Sequence, residues 1–101
     1  MTSFDQHVAR ALERLPAEFQ RALTNMAVVV EDRHPEDPDL YGLFEDGGEF
    51  FPDKITIFRR PLMEDYADAA ELEHEIRVTL LHEIGHYFGL DEQQLEELGY
   101  E

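Results

Sequence analysis

Apolar positions mark out the elements of this chain before any chemistry is considered. Phe4, Val8, Ala11, Leu12 and Leu15 recur at helical spacing, and Ser3 with Gln6 forms a capping-box pattern, so residues 4–15 are predicted as an amphipathic helix. Pro16 suits a first helical turn, and a second short helix is expected over 16–24 with Phe19, Ala22 and Leu23 inward. The β-branched run MAVVVEDR (26–33) reads as a buried strand, HPEDPD (34–39) as a loop, LYGLFED (40–46) as a second strand and DGG as a turn. KITIFRR (54–60) is the third strand, with Ile55 and Ile57 on one face and Thr56 and Phe58 on the other; Pro61 ends it or follows closely. Asp68 and Glu71 signal another helix start. From there Leu72, Ile76, Leu80, Ile84 and Phe88 repeat every four residues, with Leu81 alongside, which predicts a long helix with one buried stripe. Gly89 is placed to stop it. Asp91 with Gln94 opens a last short helix containing Leu95 and Leu98. The expected order is ααβββαα, an α+β fold with a small three-stranded sheet packed with helices, in one domain over residues 1–101.

Composition narrows the class. The chain has 101 residues, 43% hydrophobic and 32% charged, as expected of a folded domain. Its formal net charge is −16, from 24 acids against 8 bases, which disfavours binding to nucleic-acid phosphates or anionic membrane and favours divalent cations and basic partners. No apolar run exceeds the length of MAVVV, so no membrane span is expected, and the N-terminal residues do not read as a signal peptide. There is no cysteine. That fits a cytoplasmic protein, and it leaves His, Asp, Glu and backbone oxygen as the available metal ligands.

With that restriction, TLLHEIGHYFGLDE (79–92) stands out. His82 and His86 are four apart on the predicted helix, so both project from one face and can reach one zinc ion at about 2.0–2.1 Å. Glu83 sits beside them, where a carboxylate can take a proton from metal-activated water as general base; this is the HExxH arrangement. Catalytic zinc takes three protein ligands and keeps one position open. Little chain follows His86, so the nearer route to a third ligand is a turn at Gly89 that folds back to the metal. Spacing nominates Glu92, with Asp91 as the competitor and as the N-cap of the last helix.

This stretch, with ITIFRRPL upstream and the ELGY tail, resembles the small bacterial zincin-like metallopeptidases from about the first strand onward. Their pattern is HExxH, two residues, Gly, two residues, then an acid. The resemblance implies a minimal zincin fold, with zinc held by His82, His86 and Glu92, Glu83 as base, and a peptide or protein as substrate. Metzincins instead carry histidine or aspartate as third ligand and a methionine turn after the motif. Here the position is glutamate, and Met1, Met26 and Met63 all precede the motif, so the chain is not a metzincin in the full sense. A contrasting expectation from its size and charge is a non-catalytic, zinc-stabilised acidic module that binds a basic protein partner.

The remaining expectations are plainer. Tyr87, Tyr100 and His74 are the candidates for stabilising an oxyanion, and Thr79 and Glu75 for orienting a ligand imidazole. His7 and His34 are expected in solvent, the acids of 36–39 in a solvated loop, and Arg59 and Arg60 in pairs with carboxylates. Phe50 and Phe51 are expected in core or rim packing. A peptide could pair with the edge of strand 40–46 or 54–60.

Overall fold

The computed structural model describes residues 3–98, the side chain of Leu98 excepted. Its elements are α1 (Phe4–Glu13), α2 (Ala17–Ala22), a 3₁₀ turn (Leu23–Asn25), β1 (Met26–Glu31), β2 (Gly42–Glu45), β3 (Asp53–Phe58), α3 (Arg59–Asp65), α4 (Ala69–Tyr87) and α5 (Glu92–Leu98). The fold is α+β, as the periodicity predicts, with one more helix than expected. Among the described residues no helix is long and apolar enough to cross a membrane.

The expected helix starts hold in atomic detail. Ser3 and Gln6 cap each other reciprocally, the Asp68 side chain accepts from the Glu71 N–H, and Asp91 and Gln94 form a further reciprocal pair. Pro16 sits at the N-cap of α2, its carbonyl accepting from Phe19 and Gln20. The Gln20 amide in turn donates to the Leu12 and Glu13 carbonyls at the end of α1, past the last regular helical hydrogen bonds.

The extra helix is α3. The third strand was expected to run to Arg60, but it stops at Phe58. Arg59, Arg60 and Pro61 instead form the first helical turn, where proline's missing N–H costs nothing, and Leu, Met and Glu continue it readily. Arg59 and Arg60 both reach Asp32, so carboxylate pairing of these arginines is as expected.

The sheet order is β1-β3-β2, with β1 parallel and β2 antiparallel to β3. The buried strand is therefore β3, whose Ile55, Thr56, Ile57 and Phe58 are all buried. The expectation placed MAVVV in the interior; β1 is an edge strand, and of its residues only Met26 is buried. Central position also removes β3 as a site for peptide pairing and leaves β2 as the edge beside α4. Ile55 and Ile57 join one apolar cluster with Val8 and Ala11 of α1 and Ile76, Leu80 and Ile84 of α4. The helix α4 lies over β2 and β3 on one side and against α1 on another.

Several aromatic and histidine positions differ from expectation. Phe50 and Phe51 are 86% and 74% exposed in the connection between β2 and β3. Phe88 is 46% exposed, because α4 ends at Tyr87 and its successor leaves the helical phase; its ring stacks on Phe19 instead. His7 is buried between α1 and α4, with Nδ1 3.6 Å from Glu73. His34 is half-buried, and its Nδ1 accepts from the N–H groups of Glu36 and Asp37, so it organises the acidic loop.

Candidate metal centre

The long helix supplies the framework. Helical spacing puts His82 and His86 one turn apart, and their Nε2 atoms lie 3.2 Å from each other. Glu92 Oε1 lies 3.3 Å from His82 Nε2 and 3.1 Å from His86 Nε2. Three donors thus form a nearly equilateral triangle. A tetrahedral zinc site with bonds of about 2.0–2.1 Å has ligand–ligand edges of about 3.3–3.4 Å, so the triangle matches one face of such a site. Two imidazole nitrogens and a carboxylate oxygen are also a donor set that zinc accepts. Among the described residues this is the one group of three or more His, Asp or Glu close enough to share an ion.

Glu92 reaches that point because of how α4 ends. Gly89 adopts φ +80°, its N–H bonds to the His86 carbonyl, and the Leu90 N–H bonds to the Gly85 carbonyl. This is a Schellman stop, which turns the chain sharply at little steric cost only when glycine holds the left-handed position. The turn delivers Asp91 as the N-cap of α5, its side chain committed to Gln94. Glu92, one residue on, faces the histidines.

A second glycine sets how closely α5 returns. A Cβ at Gly85 would lie 2.2 Å from Leu95 Cδ2. Leu95 is fully buried, so it has no free space into which to retreat. The bare backbone at Gly85 is therefore the seat of α5. Sequence reasoning used Gly89 but not Gly85; the signal was a glycine inside a helical pattern, which costs helix propensity and needs a packing reason.

Glu83 points to the other side of the histidine pair, toward β2. It is 9% exposed, and burial pushes its carboxyl above the ordinary value. His82 and His86 oppose that shift, Glu92 adds to it, and a hydrogen bond from the Phe44 backbone opposes it again. The strand register explains that last contact. Phe58 N–H bonds to the Tyr41 carbonyl, so in the antiparallel ladder the backbone groups of Tyr41 and Leu43 point inward to β3, while Gly42 and Phe44 turn theirs to the free edge. The close approach needs Gly42: a Cβ there would lie 2.6 Å from the Thr79 methyl and 3.3 Å from Glu83 Cγ. A lone glycine in a strand pattern is the signal that could have found it.

Other expected contributors fall elsewhere. Thr79 donates its hydroxyl to the Glu75 carbonyl at 2.8 Å, so it is directed at the helix backbone and not at an imidazole. Tyr87 packs edge-on against Phe44 and Phe88. His74 lines cavities on other faces of α4. Tyr100 lies outside the described residues. A cavity of about 470 Å³ opens beside His82 and Glu83, between α4 and residues 37–42. Glu75 lines it. Tyr41, also on its wall, donates its hydroxyl to Asp65 and packs edge-on against Tyr66, and the hydrogen bond to Asp65 holds the phenol well above its ordinary pKa.

No curated protein matches the chain. Among solved structures, a conserved hypothetical protein from Thermo thermophilus is similar, at 25% identity and a TM-score of 0.60, over 95% of this chain and 94% of that one. The family model described as zincin-like metallopeptidase matches residues 23–100, a span that begins just before β1 and takes in the sheet, the histidine-bearing helix and the returning acid. The chain belongs to the zincin-like metallopeptidase family.

Proposed function

We propose that the chain is a zinc-dependent hydrolase acting on peptide bonds, with His82, His86 and Glu92 as the metal ligands and Glu83 as general base. The observation that carries this is the triangle of donors at 3.1–3.3 Å with a buried carboxylate next to it. Zinc held there supplies Lewis acidity toward a substrate carbonyl and makes water easier to deprotonate.

The chain's own groups account for the rest. The Glu83 carboxylate accepts the proton of the attacking water and returns it to the leaving amine nitrogen. The bond from Phe44 keeps that carboxylate against the edge strand. The Gly42 backbone groups turn to the same edge and line the cavity beside Glu83, where a peptide laid along β2 would meet them.

Zinc stoichiometry and peptide hydrolysis test this together. The expected result is about one zinc per chain, and Glu83→Gln keeping the zinc while losing cleavage by at least about a hundredfold, the usual scale of general-base catalysis. Absence of stoichiometric zinc uptake would sink the proposal. Zinc uptake without turnover of any peptide would leave the zinc-stabilised acidic binding module as the reading.

A further inference from the structure

The cavity beside His82 and Glu83 has a composition of its own. Leu40, Tyr41, Val78 and Thr79 make its walls, and Asp37, Asp39 and Glu75 are acids among its lining residues. None of the chain's 8 lysines and arginines lines it. Arg33, which feels the charge of Asp39, spends its guanidinium on Glu64 at 2.6 Å and on the Pro38 carbonyl at 2.9 Å.

We propose that this cavity is a subsite for a cationic side chain, so that the substrates are peptides carrying lysine or arginine next to the cleaved bond. The proposal rests on the hydrolase reading and names its substrate class. Glu75 lies two helical turns before His82 on α4, about 10 Å along the axis, with Val78 and Thr79 between. A short side chain leaving a peptide at the level of His82 cannot span that distance. A lysine or arginine can, laying its aliphatic stem along the apolar wall and its charge among the acids.

The acids are not gathered for an ion of their own. Among the described residues the only cluster tight enough to hold a metal is His82, His86 and Glu92. Acidic residues spread around a largely apolar cavity suit a long cation with an aliphatic stem and several donors better than a bare divalent ion. A volume of about 470 Å³ leaves room for such a side chain.

The test uses zinc-loaded protein and peptide hydroxamates, which anchor on the metal whether or not the protein turns anything over. A series differs at one flanking position at a time: lysine, arginine, norleucine or glutamate. At one position lysine and arginine are expected to bind at least tenfold tighter than norleucine by calorimetry, and glutamate weaker than norleucine. In Asp39→Asn/Glu75→Gln the lysine-to-norleucine ratio is expected to fall toward one. A control pair of equal charge change, Asp5→Asn/Glu31→Gln, lines a different cavity and is expected to leave the ratio in place. Equal binding of lysine and norleucine at every position overturns the subsite while leaving the hydrolase reading intact, as does an equal drop in the control pair. Failure of zinc to load, measured beforehand by metal analysis, overturns the hydrolase reading and the subsite with it.

Discussion

Two groups of histidine and glutamate are each built against the helix α4, and they differ in how their donors are placed. At the N-terminal half of α4, Glu73 meets His7 of α1 at 3.6 Å and Arg14 at 3.5 Å. At the C-terminal half, His82 and His86 meet Glu92 at 3.3 and 3.1 Å. In the first group the carboxylate is already shared with an arginine, and the imidazole is sealed between two helices. In the second, three donors converge on one point beside an open cavity, and no lysine or arginine is paired with Glu92 among the described residues. Residue type does not separate the two groups. Convergence of lone pairs and access do.

That contrast can be broken experimentally, and the largest expected effect is at the proposed ligands. His86→Ala should weaken zinc binding by more than the roughly 10–100-fold typical of outer partners, while His7→Ala leaves stoichiometry at about one per chain. Competition with a chromophoric chelator measures both, and an equal loss in the two variants would erase the distinction between the groups.

The next effect sharpens why the second group converges. Gly85→Ala puts a methyl into Leu95 and should push α5 and Glu92 away, weakening zinc by about 10–100-fold, the scale of losing an outer partner and less than that of Glu92→Gln. Adding Leu95→Ala to Gly85→Ala should recover most of that affinity, although it costs stability through the cavity it leaves. Without such recovery, the clash with Leu95 would not be what displaces Glu92.

For the buried pair the expected consequence is structural. His7→Gln should lower the unfolding free energy by roughly 1–2 kcal/mol in urea, by disturbing a buried polar contact, with zinc affinity moved less than about threefold. A large change in zinc affinity would mean that the two halves of α4 are coupled.

The smallest effect concerns Asp91. Its capping bonds predict that Asp91→Ala costs about 1 kcal/mol of stability while zinc affinity changes only slightly. A loss of affinity as large as that of Glu92→Gln would exchange the roles of the two acids.

Local chemistry made much of this legible in advance. Caps at Ser3, Asp68 and Asp91, the four-residue apolar repeat of α4 and the glycine stop at Gly89 all depend on neighbours within a few residues. So does the shared face of His82 and His86, with Glu83 about 100° round the helix from His82, since helical geometry alone puts them there. For the central strand and for His7, long-range contact made the difference. That β3 and not β1 is central depends on β2 pairing with β3 across the 46–52 connection. The burial of His7 depends on α1 packing on α4, which spacing within α1 does not encode.

The site divides in the same way. By itself the sequence determined two histidines and a carboxylate on one helix, and a turn able to bring an acid back. Only the tertiary structure decided that Glu92 faces both imidazoles while Asp91 caps the helix, that Gly85 and Leu95 fix the distance, and that Gly42 lets the edge strand touch Glu83. The physical reason is reach. Backbone periodicity sets direction over a few residues, whereas the last ångströms between three donor atoms are set by which side chains, and which missing ones, separate elements that are far apart in the chain.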